Sequence, residues 1–549
     1  MLKFYTLKGI ATIFAASCIL FSAQIQAQAP SWEWAKTSIN SNFDTNYALA
    51  TDEEGNVYVG GAQRSPTATF GTHTLTNTNP NYDDGYVVKY NPFGEVVWVK
   101  NIGGILNERV LNIAVKNNNI YVTGNFESPT LIVDNVVLNN PDKSQSMFVI
   151  KLDSDGVALW GRNPTGSSSN VGSSIGVDDN ENVFVSGTFG ASQLTIGDIT
   201  IYNNDPLNGD VYLLKFDASG TPLWARSGRG TSNEYTDAIA TDAQGNVYVT
   251  GTFFSPTITF DNIILTNTSG DYDIYIVKYN NDGVLQWAKK CGGSNYDIVR
   301  DIKTDHEGNV IICGHFESAV MYFGNLSVTN PSIGTSDIFV AKFNAEGTPL
   351  WAKKAGNSSA DIGTGVAIDS GNNVYLSGSI SSSNVVFGNL PAISSNGSYD
   401  IFVAKYNAAG TALWSKNTGS VNYELGANAV IDSNDNLYVS GIISSDPVFF
   451  DNQSIGTTNY GIFTAQMRVG VLATENFDTK KISIFPNPVK NSLTIQSDTT
   501  NLAYRIFDLN GRSILKGQLQ SSKTIDVSPL QNGMYLIQLD NQSFKFIKE

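Results

Sequence analysis

The chain has 549 residues, of which 41% are apolar, 11% aromatic and only 15% charged, a composition that excludes a disordered chain and favours β-structure. Its net charge is −16, and removal of a leader carrying Lys3 and Lys8 takes it to −18. An acidic surface repels phosphate backbones and anionic headgroups, so neither nucleic acid nor a membrane surface is expected as a partner.

The N-terminus comes first in chain order. Lys3 and Lys8 precede an apolar run, Ile10 to Phe21, and a small-residue stretch, Ser22 to Ala29. That layout predicts a secretory signal peptide over residues 1–27, cut after Ala27. The run is too short to span a bilayer comfortably. A lipoprotein reading through Cys18 is disfavoured, because apolar Ile19-Leu20-Phe21 follows where a polar tether belongs. The mature protein is expected to be exported, without a transmembrane segment.

Residues 31–468 repeat. Seven of the eight tryptophans, Trp34, Trp98, Trp160, Trp224, Trp287, Trp351 and Trp414, recur at spacings of 64, 62, 64, 63, 64 and 63. Within the copy from Thr236 to Lys290, two short strands flank the turn Asp242-Ala243-Gln244-Gly245-Asn246. An irregular segment of roughly twenty residues containing Thr257–Phe260 follows, then a strand, the turn Asn280-Asn281-Asp282-Gly283, and a tryptophan strand. The first turn needs a residue tolerant of positive φ, and the copies supply Gly55, Gly245, Gly308, Asn372 and Asp435, with Glu181 as the exception. Four strands in about 63 residues make a propeller blade. A lone tryptophan strand, Ser31 to Lys36, opens the array and a lone third strand, Gly461 to Met467, ends it. The expected fold is all-β, a seven-bladed β-propeller closed by its N-terminal strand, which removes free sheet edges. The tryptophans are expected to pack between blades.

In this topology both tight turns share one face. The twenty-residue segments and the connections after each tryptophan, such as Cys291 to Asp297, lie on the other. Loops on a rigid scaffold carry sites, so any ligand is expected on the long-loop face. The copies AIATDAQGNVYVTGTF, AIDSGNNVYLSGSI and DIFVAKYNAAGTALWSK resemble the seven-fold SBBP repeats of secreted bacterial propellers. That resemblance implies the fold and no single activity.

Residues 469–480 read as a linker, and residues 481–549 as a small Ig-like β-sandwich of short alternating strands. Phe485-Pro486-Asn487-Pro488, the Asp508-Leu509-Asn510-Gly511-Arg512 turn, and Leu530, Gly533, Tyr535 and Ile537 before a basic end are similar to the type A C-terminal sorting domain of the type IX secretion system. The resemblance implies type IX secretion machinery as a partner and export across the outer membrane of a Gram-negative bacterium. It also implies removal of this domain and a product that is released or attached to the surface. The alternative is an accessory sandwich that binds sugar.

Chemistry is sparse. Of His73, His306 and His315, only His315 is a candidate binding residue; it follows Gly314 where other copies have Asn125 and Thr252. Gly172-Ser173-Ser174-Ile175-Gly176 fits a nucleophile-elbow pattern but lacks the strand–turn–helix context. The recurring Asp52, Asp178, Asp242, Asp305, Asp369 and Asp432 lack the further acidic ligands of a calcium loop and are read as turn residues, so no metal and no cofactor is expected. Pairing of these aspartates with Lys89, Lys151, Lys215, Lys278, Lys342 and Lys405 of the same copy is unsupported, because copy two lacks the Asp and copy seven the Lys. Cys291, placed in a turn, and Cys313 are read as space-filling thiols, with a disulfide left open. The only element shared with quinoprotein repeats is Gly-x-x-x-Trp. Arg64, Arg109, Arg162, Arg226, Arg229 and Arg300 show no repeating placement. The expectation is a non-enzymatic, monomeric, secreted or cell-surface scaffold for an extracellular carbohydrate, protein or envelope ligand. An extracellular polysaccharide hydrolase or lyase is the alternative, and a structural surface-layer component the third reading.

Overall fold

The computed structural model describes residues 29–40, 44–165, 169–203, 205–267, 269–444, 447–457, 460–469, 483–496, 503–508, 512–519, 523–539 and 542–549. The leader through Ala27 and the 470–480 part of the linker fall outside them. Contacts divide the chain into two units, Met1–Gly470 and Val471–Glu549. No helix is assigned among the described residues.

The first unit consists of antiparallel sheets of one plan. Blade 4 is representative, with strands Glu234–Thr241, Val247–Phe253, Asp273–Tyr279 and Leu285–Gly292 hydrogen-bonded in that order. The second and third strands are buried at every position, so each reads as a near-continuous apolar run rather than an alternation. Six such sheets follow in sequence from Thr45–Thr51 to Ala412–Thr418. A seventh joins Glu424–Ile431, Asn436–Ile443 and Gly461–Arg468 to the N-terminal strand Trp32–Asn40, which pairs Ala35 with Ala465 and Lys36 with Thr464. The core lies between blades, in apolar layers drawn from neighbouring sheets. One layer joins Trp34, Tyr438 and Ile462 of the last sheet to Leu49, Val57 and Tyr86 of the first.

The tight turns form as their residues require. Asp242 Oδ1 accepts the N–H groups of Gln244 (3.0 Å) and Asn246 (2.9 Å), and Gly245 sits at φ +74°. Glu181, Asn372 and Asp435 hold the same left-handed position at φ +59°, +59° and +56°.

Except in blade 6, where only the isolated bridge Val385–Ile393 forms, the twenty-residue segments are not irregular. Thr257–Phe260 and Ile263–Thr266 form a hairpin whose first strand pairs with the outer strand of the preceding blade, Gly228 opposite Phe260. The same arrangement sets Cys291 opposite Phe323, and Ser38 opposite Phe70. The strands are only three or four residues long, too short for alternation to register, although Gly or Asp at positive φ, such as Gly71, Asp134 and Asp261, marks the turn between the halves. Cys291 therefore lies in a strand, not a turn, and both cysteines are buried free thiols in different interblade layers.

In the second unit, Ser483–Phe485, Ser492–Gln496 and Thr524–Asp526 form one sheet. Ser513–Gln518, Ala503–Phe507, Gly533–Leu539 and Gln542–Lys548 form the other. Leu493, Ile495, Ile506, Ile525, Ile537 and Phe546 supply their common core. Asn487 clamps the final strand through both ends of its amide: Nδ2 donates to Lys545 O (3.0 Å) and Oδ1 accepts from Ile547 N (2.9 Å).

Candidate functional site

The residues shared by all copies build scaffold. Six of the seven repeat tryptophans, Trp34 to Trp351, reach the next blade: Trp224 Nε1 donates to Asn281 O, Trp287 to Ala345 O and Trp351 to Ala408 O, at 3.1, 3.0 and 3.1 Å. The indole also covers the glycine of that turn, so a Cβ on Gly410 would lie 2.7 Å from the Trp351 ring. The repeated lysine donates to the same carbonyl, as Lys342 does to Ala408 O at 3.4 Å.

The same-copy pairing of Asp and Lys, judged unsupported from sequence, is present in copies four, five and six. Lys342 lies 2.7 Å from Asp305, Lys405 3.1 Å from Asp369 and Lys278 3.9 Å from Asp242. The two exceptions are compensated from elsewhere. Copy two lacks the aspartate, and Glu181 of copy three takes its place, accepting from Lys151 Nζ (2.8 Å), Tyr121 Oη (2.7 Å) and Asn119 Nδ2 (3.2 Å). Copy seven lacks the lysine, and Gln466 Nε2 donates to Tyr438 Oη at 2.9 Å. Burial opposes ionisation of Glu181, but Lys151 and its other donors outweigh it and hold the carboxyl down at about 2.

What the copies do not share gathers at the other end of the sheets. Tyr235 opens the inner strand of blade 4, Phe254 follows its second strand, Tyr272 precedes its third, and Tyr296 precedes the inner strand of blade 5. Tyr272 is central, with ring centroids 6.0 Å from Tyr235, 5.3 Å from Phe254 and 5.8 Å from Tyr296. Tyr235, Phe254 and Tyr296 are 43%, 37% and 45% exposed, an unusual amount of aromatic surface to leave in water. Burial, then neighbouring Tyr235 and Tyr296, raises the Tyr272 phenol above its ordinary range. At the places of Phe254 and Tyr272, blade 1 carries Arg64 and Asp83, and Asp83 receives both Arg64 (2.5 Å) and Arg109 (2.6 Å). The arginines are thus less scattered than the sequence suggests. Arg162 and Arg226 also match, each stacked over its own tryptophan and donating Nε to Gly220 O and Gly283 O.

A β-bulge recurs in every inner strand and inserts a residue that also varies, Asp237 in blade 4 and Arg300 in blade 5. Arg300 is exposed, while one carboxylate oxygen of Asp237 is buried without a hydrogen-bond partner. Burial pushes Asp237 up to about 6, with Arg300 pulling the other way. His315 lies in the second strand of blade 5, opposite Ile298. It is buried, its Nδ1 has no partner, and burial with the Arg300 charge takes it down to about 3, so the ring is neutral. His306 is exposed, with Nδ1 2.9 Å from Asn372 Oδ1. His73 lies in an outer hairpin strand. Ser174 accepts the Ile239 N–H (3.0 Å), a strand-to-strand role rather than a nucleophile's.

Two further features escaped the sequence reading. A cavity of about 350 Å³ runs between the inner strands, lined by small residues such as Ala50, Ala114 and Ala240 together with Ile113, Ile175 and Ile239, with the Asp301–Lys303 pair (2.6 Å) entering from blade 5. Buried carboxyls also meet at blade boundaries. A Cβ on Gly292 would lie 1.9 Å from Asp273 Oδ1 and 3.2 Å from Asp297 Oδ2, so both groups press on one backbone atom. Burial, reinforced by the partner carboxyl, pushes Asp297 up to about 7, Glu108 beside Asp84 to about 7 and Glu234 beside Asp210 to about 8. The signal was present as an acidic residue at the start of both the inner and third strands.

Comparison with known proteins bears on both units. Residues 483–549 match the family model of the secretion system C-terminal sorting domain. An uncharacterized WD repeat-containing protein of Acanthamoeba polyphaga mimivirus is 26% identical over 451 residues, 67% of this chain and 32% of that protein. The regulatory protein FlaEY of Caulobacter vibrioides is 27% identical over 213 residues, 38% of this chain and 22% of its own. The chain spans less than a third of the length of either relative. Sqt1 from Chaetomium thermophilum overlaps with a TM-score of 0.39 at 9% identity, covering 81% of this chain and 100% of that one. Synechocystis apocarotenoid oxygenase overlaps with a TM-score of 0.34 at 10% identity, covering 81% and 94%. Neither overlap carries an argument about activity. The chain is a β-propeller protein that bears a type IX secretion C-terminal sorting domain at residues 483–549.

Proposed function

We propose that this exported propeller is a non-enzymatic binding module that holds a neutral carbohydrate on the aromatic quartet of blades 4 and 5. The quartet carries the reading: four rings in one cluster, three of them over a third exposed. The C–H face of a sugar packs on the electron-rich face of such rings, and its hydroxyls need nearby polar groups. Half-buried Asp237, through the carboxylate oxygen that is not enclosed, and exposed Arg300 would supply both senses of hydrogen bond. The net charge of −16 weighs against an anionic glycan. The propeller repeats, which resemble SBBP repeats, would act as scaffold, and the sorting domain would be removed at the cell surface as the product is anchored or released.

A glycan array tests this directly. Binding of a neutral glycan without release of reducing sugar supports the module; no glycan binding and capture of a protein ligand refutes it. A polysaccharide-degrading enzyme is the second reading, favoured by one observation, the Asp237 carboxyl lifted to about 6 and so able to serve as a general acid. Turnover that disappears in Asp237→Asn would establish that reading instead.

A further inference from the structure

We infer that the same face carries a second carbohydrate subsite at Tyr399 and Tyr423, and that the ligand is a neutral polysaccharide chain long enough to engage both. The inference rests on the carbohydrate reading above.

Tyr399 and Tyr423 occupy, at the boundary of blades 6 and 7, the places that Tyr272 and Tyr296 occupy at the boundary of blades 4 and 5. The backbone is built alike: Glu424 N donates to Tyr399 O (2.9 Å) and Ser444 N to Tyr423 O (3.0 Å), as Asp297 N does to Tyr272 O (3.0 Å) and Glu317 N to Tyr296 O (2.8 Å). The two rings lie 5.7 Å apart, at 83°. The Tyr423 phenol is raised by burial, then by Tyr399 and Tyr460, which brings a third tyrosine, 37% exposed, to the cluster. The boundary between them carries Ser336 and Ala360 at these positions and no ring. The rotational repeat of the propeller therefore presents two aromatic pairs, separated by two blade steps, on one face.

Neither pair needs a contact beyond those proposed for one sugar run. Their value lies in linkage. When one end of a chain is held, the other binds as an intramolecular event, and avidity rises by roughly 10²–10⁴ without any new contact if the chain spans both. A short oligosaccharide engages one subsite at a time and gains nothing.

The test uses the full chain in isothermal titration with soluble β-glucan, xylan and mannan, each as polymer and as its tetrasaccharide. With a glycan that binds, the tetrasaccharide is expected at two sites per chain and the polymer at least about tenfold tighter. Tyr399→Ala/Tyr423→Ala should reduce tetrasaccharide stoichiometry to one, leave its affinity within about twofold and abolish the polymer gain. Tyr399→Phe/Tyr423→Phe, which keeps the rings, should retain that gain. Thermal melts of both variants control for folding. A single tetrasaccharide site in the wild type, or a polymer gain that survives in the alanine variant, overturns the second subsite while leaving the first intact. Binding of none of the three glycans by the wild type overturns the carbohydrate reading itself.

Discussion

Glu181 accepts a hydrogen bond from Lys151 at 2.8 Å, across the boundary between the second and third blades. It does so from the left-handed turn position, φ +59°, that other copies fill with glycine, asparagine or aspartate. That position faces the aspartate of the preceding blade, since a Cβ on Gly55 would lie 3.0 Å from Asp432 Oδ2. A long acidic side chain there can return what copy two lacks. Glu181→Gly should therefore destabilise the propeller despite relieving the backbone. Loss of charged hydrogen bonds costs about 1.5–3 kcal/mol, and relief of the strained φ returns about 1 kcal/mol. Chemical denaturation should show a net loss, with Glu181→Gln in between.

The tryptophans should rank by burial. Trp351 is 8% exposed and bonded to Ala408 O, whereas Trp160 is only half-buried. Trp351→Ala should cost about 3–5 kcal/mol through lost burial and a cavity, and Trp160→Ala clearly less. Equal losses in urea unfolding would argue against the interblade role.

Stability should fall as pH rises. Glu108, Glu234 and Asp297 have folded values of about 7, 8 and 7, above those of exposed carboxyls, so the native state holds protons that the unfolded chain has released. The stabilisation is complete below about pH 4, where both states are protonated, and is lost as pH climbs through 7 and 8. Each proton held only by the native state lowers stability by about 1.4 kcal/mol for every pH unit climbed, so the decline between pH 5 and pH 8 should reach several kcal/mol. Urea midpoints at the two pH values measure it, and Glu234→Gln should flatten the slope.

The N-terminal strand should hold the ring. Trp32–Asn40 pairs with the last third strand and places Trp34 in the layer between the seventh and first sheets. Deleting residues 28–40 removes that strand and bares an edge. A melting temperature more than about 10 °C lower is expected, and an unchanged one would refute closure.

The fold was legible because its signals repeat: tryptophan spacing, Asp-x-x-Gly turns and unmatched terminal strands each recur or fail to recur at a fixed period. Pairing across copies was not. The Asp–Lys ion pairs looked unsupported because the exceptions did not coincide, yet Glu181 and Gln466 repair them from a neighbouring copy or with another polar group. Sequence alignment of repeats shows which positions match, not which touch. For the same reason the quartet stayed hidden: Tyr235, Phe254, Tyr272 and Tyr296 are far apart in the chain and belong to no motif. Only the sheet register brings them together. His315, singled out because it stands where other copies carry Asn125 and Thr252, is buried opposite Ile298 and is not among the clustered rings.

The measurement that bears most directly on the account is the affinity of the Tyr272→Ala/Tyr296→Ala protein for a glycan that binds the wild type. Removing the central ring and its neighbour should weaken binding at this subsite at least tenfold, about 1.4 kcal/mol, with the melting temperature unchanged. Wild-type affinity and stoichiometry in that variant would contradict the assignment of the ligand to the unshared aromatic residues of blades 4 and 5.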